Sequence, residues 1–592
     1  MKPSGAADMA PGMLLFARVR SSLRSVGLVG ALALAAAGCG GPGAKSPKGL
    51  AVPNPFPTKS ALESVARAPL KSKARRAVAS VPEWRVDPSD IPDVSPAEAR
   101  LVELSPAVKE LTFTRELRCI ARELGRLRAE HGADADERVQ RFIVGACGRT
   151  GAAGVSTFYL TGDAPAEVSD DELLKAWKGQ VALPASFKGK SAGAWLTRKG
   201  KQAVLMIVGG AGESDVTLSR NDTPGVMTVR GTAPADVEEV IALVNRGADG
   251  VARCEPNRTA TAPQFAFDCK LDDDDPWAWI EVLSRRSGRV LLRATALLIA
   301  RRDPLAPVEL TRGAASSAPH PPDVVTAILE GVNRARANAK LAPLAPAPKQ
   351  AEVNARLASH FFDAEATADS QTADVVALGL LAGWDVGGTI RNGSFFGTML
   401  TGAKGAASWI DYALEHPMGR FTLLVPEARQ IAVGPTTAEG AGLGVVITTY
   451  SFFGAEDDQA NATRVMNRIA QERAARGLAP ATAFGNLPGL VNAARLVNAG
   501  KREPMAALDE ALGAEAQRIG QSLRGWVLVT HDLDSLDLPK ELLAPGPVAV
   551  RVVVTHYQPE NIPWGAYLIY FVSPAPTPRE VATKASFVAS AR

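Results

Sequence analysis

The sequence predicts an α+β fold made of α-β-α layers together with a small β-sandwich. Three observations predict it. After residue 322 the hydrophobic pattern reads as helices first and strands last. Between about 214 and 302, short strands and turn signals follow one another. The opening of the helical stretch also recurs, Met466-Asn467-Arg468-Ile469 echoing Val332-Asn333-Arg334-Ala335 at a spacing of 134 residues. With 592 residues, 46% hydrophobic and 22% charged, the chain has the composition of folded protein and length for about four domains. A net charge of +4 and sparse aromatics leave no footprint for nucleic acid.

Taken in order, residues 14 to 38 run from Arg18, Arg20 and Arg24 into an uncharged, Ala-rich stretch too short to span a bilayer, so residues 1–38 read as a signal peptide. Its end, Leu34-Ala35-Ala36-Ala37-Gly38-Cys39, resembles a bacterial lipobox, with Ala36 where the family usually has Leu. The resemblance implies cleavage before Cys39, lipid on that cysteine, and a bacterial cell-envelope protein anchored to membrane lipid. Gly40 in place of the Asp retention signal points to the outer membrane. The alternative is an ordinary secretory signal or an uncleaved anchor. Residues 39–106, rich in Pro, Ala and Ser, read as a disordered tether. Its cluster Lys71-Ser72-Lys73-Ala74-Arg75-Arg76 reads as solvated linker, with contact to anionic headgroups as the other reading.

Residues 107–212 form an α+β domain. Leu117, Ile120, Leu124 and Leu127, then Val139, Phe142 and Ile143, recur at helical spacing and predict a hairpin of helices. Cys119 and Cys147 sit on its two arms and are expected to bridge in an oxidising compartment. Residues 191–208 read as two strands about a Gly-containing turn. Residues 213–303 are expected to form an Ig-like β-sandwich from strands Asp215–Leu218, Val226–Arg230, Glu239–Val244, Val251–Cys254, Phe265–Leu271, Trp279–Leu283 and Val290–Ile299. Cys254 and Cys269 lie on neighbouring strands of it, a second expected disulfide. The run Asp272 to Asp275 lacks the alternate spacing of a calcium loop and reads as a solvated turn. A linker at 304–321 leads to the layered domain 322–456, a degenerate second copy at 457–574, and a tail at 575–592. The domain at 107–212 is a candidate third copy.

Within 322–456 the segments Val332-Asn333-Arg334-Ala335-Arg336, Leu341-Ala342-Pro343-Leu344 and Ala358-Ser359-His360 come in that order. Trp409, His416-Pro417-Met418-Gly419-Arg420, Leu423-Leu424 and Ile431-Ala432-Val433-Gly434 follow. This order resembles the CAP domain, the SCP-like family of cysteine-rich secretory, antigen 5 and pathogenesis-related proteins. The resemblance implies an α-β-α sandwich with a cleft in which two histidines and two acids can hold a divalent metal. It places His360, Trp409, His416 and Arg420 as candidate cleft residues. It also marks losses: Gly419 stands at the second His position, Asn392-Gly393-Ser394 where an acid is usual, and Asp369 near the expected first His. Read from the residues alone, His360 suits a core histidine and His416 a helix cap. In the second copy His531 and His556, with Asp532 or Asp534, suit structural roles better than zinc.

No phosphate loop, nucleophile elbow, His-Glu-x-x-His or Cys-x-x-Cys pair is present. The expectation is therefore a lipid-anchored, non-catalytic binding or scaffold protein. It has no cofactor, no metal and no catalytic residues, and its ligand is envelope protein, peptidoglycan or lipid. The alternative is a metal-assisted envelope hydrolase or protease using the remaining histidines.

Overall fold

A computed structural model describes residues 15–18, 56–70 and, with short breaks, 81–575. Cys39, the Lys71 to Arg76 cluster, His531, Asp532, Asp534 and residues 576–592 lie outside the described residues. Helices and strands mix throughout, an α+β chain. Two compact units result, one from residues 15–18, 57–386 and 393–450, the other from 56, 387–392 and 451–575.

In the first unit the short strand β1 (Leu15–Arg18) falls inside the expected signal peptide. The expected tether contains α1 (Lys59–Ala66), β2 (Trp84–Val86) and α2 (Pro96–Leu104). This corrects the tether reading for the described part of 39–106. Leu62, Trp84, Val86, Ile91 and Leu101 are all buried, and such scattered anchors between prolines carry no periodicity. A first layered module follows: β3 (Thr112–Phe113), α3 (Arg115–His131), α4 (Glu137–Ala146), β4 (Val155–Asp163), α5 (Asp170–Trp177), β5 (Ser191–Lys199) and β6 (Gln202–Gly210). Thr114 and Asp136 cap α3 and α4 by accepting the Leu117 and Val139 N–H at 3.4 and 2.9 Å. The sheet runs β3-β5-β6-β4, with α3 and α4 against Val204, Met206 and Val208 and α2 and α5 against Ala203, Leu205 and Ile207. Cys119 and Cys147 are bonded across α3 and α4.

Alternation of apolar residues builds the next part. Strands β7 (Thr217–Arg220), β8 (Val226–Thr232), β9 (Val237–Arg246), β10 (Gly250–Arg253), β11 (Glu255–Pro256), β12 (Gln264–Lys270), β13 (Trp277–Arg286) and β14 (Leu292–Arg301) form two antiparallel groups, β11-β12-β8-β7 and β10-β9-β13-β14. Their facing side chains, among them Val229, Val244, Phe267, Ile280 and Leu298, make one core, and Cys254–Cys269 is bonded inside it. β15 (Val308–Leu310) lies in the expected linker yet pairs with β2 and is buried at Val308 and Leu310, a second correction of the same kind.

A second module comprises α6 (Val324–Asn338), β16 (Ala345–Pro346), α7 (Pro348–Ala366), α8 (Ser370–Ala382), β17 (Ile390–Thr401), α9 (Ala406–Glu415), α10 (Pro417–Leu423), β18 (Gln430–Ala438) and β19 (Gly442–Phe452). Its strands continue the sandwich sheet, in the order β10-β9-β13-β14-β1-β17-β19-β18-β16, with β1 antiparallel to both neighbours. One sheet face carries Phe396, Ile431, Val433 and Ile447 against α6 and α9. The opposite face carries Phe395, Gly434 and Thr448 against α7.

In the second unit α11 (Asp458–Ala475), β20 (Thr482–Ala483), α12 (Pro488–Asn498), α13 (Pro504–Ile519), β21 (Leu523–Thr530), β22 (Ala549–Tyr557) and β23 (Ala566–Pro574) form a third module of order β20-β22-β23-β21. In each module the strands, numbered by occurrence, therefore stand 1-3-4-2, and the two-residue first strand is parallel to the third. The second and third modules also share a buried anchor. Arg336 donates Nε to the Ala342 carbonyl at 2.7 Å and Nη1 to Leu423 and Val425, both at 2.9 Å. Arg473 donates Nε to Ala479 at 2.6 Å and Nη1 to Leu542 and Ala544 at 2.7 and 3.1 Å. Arg473 stands 137 positions after Arg336, so the repeat spacing is 137 and the Asn-Arg echo at 134 is one turn out of phase.

Candidate functional site

The four residues singled out by the CAP resemblance do not converge. His360 is half-buried on α7, on one face of the second module's sheet. Trp409 is fully buried on the other face, donating Nε1 to the Thr398 carbonyl at 3.0 Å beside Phe396. Arg420 reaches out of α10 to the Gly247 and Gly250 carbonyls at 2.9 and 3.0 Å and pins the β9–β10 hairpin. His416, between α9 and α10, is buried.

A metal cleft of the family's kind does not fit here. A Cβ on Gly419 would lie 1.8 Å from the Ala413 carbonyl oxygen, so no histidine can stand at that position without unwinding the α9–α10 turn. Asp369 caps α8, accepting the Thr372 N–H at 3.1 Å, and Asn392 to Ser394 are strand residues of β17. In the third module His556 stacks on Phe453 at 5.2 Å. Among the described residues, no three His, Cys, Asp or Glu side chains are grouped to hold a metal ion. The Asp272 to Asp275 turn is spent on structure: Asp272 pairs with Arg246 at 2.8 Å and Asp275 accepts the Gly247 N–H at 2.8 Å.

What His416 does join is a buried polar cluster in the first unit, drawn from three distant stretches of chain. From α4 come Glu137, Arg138 and Arg141; from β9 and β13 come Asn245, Trp279 and Glu281; from α9 come Asp411, Tyr412 and Glu415. Arg138 holds Glu415 with Nε at 2.8 and 2.9 Å from its two oxygens, and also donates to the Thr311 carbonyl at 2.7 Å. Arg141 pairs with Glu137 at 2.7 Å and faces His416 Nε2 at 3.5 Å. Tyr412 meets the imidazole edge-on at 4.8 Å and Trp279 lies over it at 6.5 Å. Glu281 accepts the Met418 N–H at 2.9 Å, and Asn245 donates to the Glu415 carbonyl at 2.6 Å.

Register explains why the strand residues meet. Trp279 and Glu281 are two apart on β13, and Glu281 lies opposite Leu243 on β9, so Asn245, two residues further, lies beside Trp279 on the same face. Five buried atoms of the cluster have no hydrogen-bond partner: Asn245 Oδ1, Trp279 Nε1, Glu281 Oε1, Tyr412 Oη and His416 Nδ1. Burial pushes Glu281 up to about 7, against the Met418 N–H and Arg141, which favour its charged form. Burial, then the Arg141 charge, hold His416 well below the usual histidine range. The arrangement offers donors, acceptors and protonatable groups.

A second buried acid lies away from it. Glu365 on α7 shares Arg293 with Asp374, at 3.4 and 2.7 Å, and burial pushes it up to about 7. Sequence reasoning missed both sets. One signal was available: Glu281 is the lone charge in the apolar run Trp277 to Leu283, where a strand buried on both faces has no reason to carry one. No protein-family model matches the chain, and a comparison with curated proteins finds no match either.

Proposed function

We propose that the chain is a lipid-anchored cell-envelope protein whose CAP-like modules bind a ligand or act as scaffold without catalysis. The single observation that carries the reading is the setting of His416. This histidine, one of the two in the CAP-like motif segments, is enclosed by Trp279, Tyr412 and Arg141, where it joins α4, β13 and α9. The 1-3-4-2 sheet, used three times with helices on both faces, supports repeated binding or spacing modules rather than one catalytic centre. Among the described residues no helix is long and apolar enough to cross a membrane, and anchoring falls to acylated Cys39 in this reading.

Two measurements test it. Cys39→Ala is expected to abolish incorporation of labelled fatty acid and leave the protein released from membranes; unchanged labelling sinks the anchor. Metal analysis of the purified folded chain is expected to find no stoichiometric zinc; zinc lost on His360→Ala, or on His531→Ala with His556→Ala, would reverse the preference towards the metal-assisted hydrolase or protease. Co-sedimentation with peptidoglycan sacculi and with anionic vesicles separates the ligand classes.

A further inference from the structure

Only the neutral form of His416 fits its site. Nε2 lies 3.5 Å from Arg141 Nη1, and a guanidinium offers donors alone, so Nε2 is the acceptor and the ring proton sits on Nδ1. We propose that His416 is an acid-operated latch between α4 and the α9–α10 hairpin. A second proton on the ring sets N–H against N–H and places two positive charges side by side in a site walled by Trp279 and Tyr412. Arg141 must then leave, and α4 loosens with it.

The neighbouring groups do not rescue the imidazolium. Glu137 on α4 is engaged by Arg141 itself, and Glu415 on α9 is engaged by Arg138. Asp411 and Asp136 face Arg138. Glu281 on β13 is the remaining acid, and acidification neutralises it first, since burial pushes it up to about 7 while His416 is held low. The contact therefore holds near neutrality and fails as pH falls below the ordinary histidine range.

The movement has a defined hinge. Cys147, the C-cap of α4, is bonded to Cys119 on α3, so α4 swings from that end and does not detach. Swinging uncovers the aromatic floor it covers, where Phe142 lies 6.0 Å from Trp277 and Gly145 lets the helix sit against Trp279 and Ile299. The outcome is an apolar surface shown in acid and hidden at neutral pH.

Hydrogen exchange of the full chain, read on amides 137–146 and corrected for intrinsic rates, tests the latch. Protection there is expected to fall by about tenfold or more from pH 7 to pH 5, with amides of α13 in the other unit unchanged. His416→Gln, which keeps an acceptor and cannot take the proton, is expected to retain protection at pH 5. Arg141→Met removes the opposing charge and is expected to raise the pH at which His416 titrates. Equal acid loss in His416→Gln, or no acid loss in the wild type, overturns the latch. Should His416→Gln fail to fold, an unshifted titration in Arg141→Met overturns it. None of these readouts depends on lipid, metal or ligand, so the latch stands or falls apart from the binding reading.

Discussion

Glu98 shows how much one side chain carries in this molecule. It lies in the stretch expected as tether, yet it takes Arg118 Nε at 2.6 Å and the Ser95 and Ala194 N–H groups, both at 3.1 Å, tying α2 to α3 and β5. Both members of the pair are about 2% exposed. Removing one partner of such a pair leaves a buried charge uncompensated, so Glu98→Ala is expected to cost about 3–5 kcal/mol, read as a fall in the urea midpoint. Glu281 acts in the opposite sense. Its folded value near 7 lies above its unfolded value of 4.5, so its contribution is fully present below the unfolded value and is lost as pH rises through about 7. Glu281→Gln is expected to flatten the stability of the first unit between about pH 5 and about pH 8, removing a loss on the order of 3 kcal/mol. An unchanged slope in urea titrations across that range would contradict this assignment. His416 has the reverse sign, its contribution being present above the ordinary histidine value and lost as pH falls.

At the scale of elements, the buried arginine near the end of the first helix is the clearest device. Arg336 and Arg473 each satisfy carbonyls of a returning loop that no strand pairs, and both are 0% exposed. Arg473→Met strands the Ala479, Leu542 and Ala544 carbonyls. It is expected to cost roughly 3 kcal/mol or more, with lost exchange protection confined to α11, β20 and β22; loss spread into α6 or β18 would argue against separate modules. The sandwich strands were legible because alternation is a local signal: all seven expected strands are present within a few residues. The helices α3 and α4 were legible because their helical spacing is a local signal too. The strand β4 was not, because Thr157, Thr161 and Gly162 dilute its alternation, and the anchors Leu62 and Trp84 were not, because each buries against partners hundreds of residues away. Beyond the lone charge of Glu281 in its apolar run, the polar cluster was not legible. Arg141, Glu281 and His416 belong to separate periodicities, and only the pairing of β9 with β13 and the α9–α10 turn bring them together.

For the whole molecule, the disulfides divide the two units. Cys119–Cys147 and Cys254–Cys269, with sequence separations of 28 and 15, both lie in the first unit, and no cysteine follows residue 269. Each loop is worth about 3 kcal/mol on chain-entropy grounds. Reduction is therefore expected to lower the melting temperature of the first unit and leave that of the second unchanged, resolving one scan into two transitions. Coincident shifts of both transitions under reductant would instead mean that the units unfold as one.

The two-residue strands β3 and β20 have a further effect on the company this chain keeps. Each sits at one edge of its sheet, while the opposite edge is a full-length strand, β4 or β21. An exposed edge invites another chain, and head-to-tail stacking into a filament needs two long edges per sheet. With one edge this short, edge-to-edge association can close into a symmetric pair through β4 or β21 but has no strand on which to continue. Each of these sheets can therefore pair once, through its long edge, and cannot be extended through its short one.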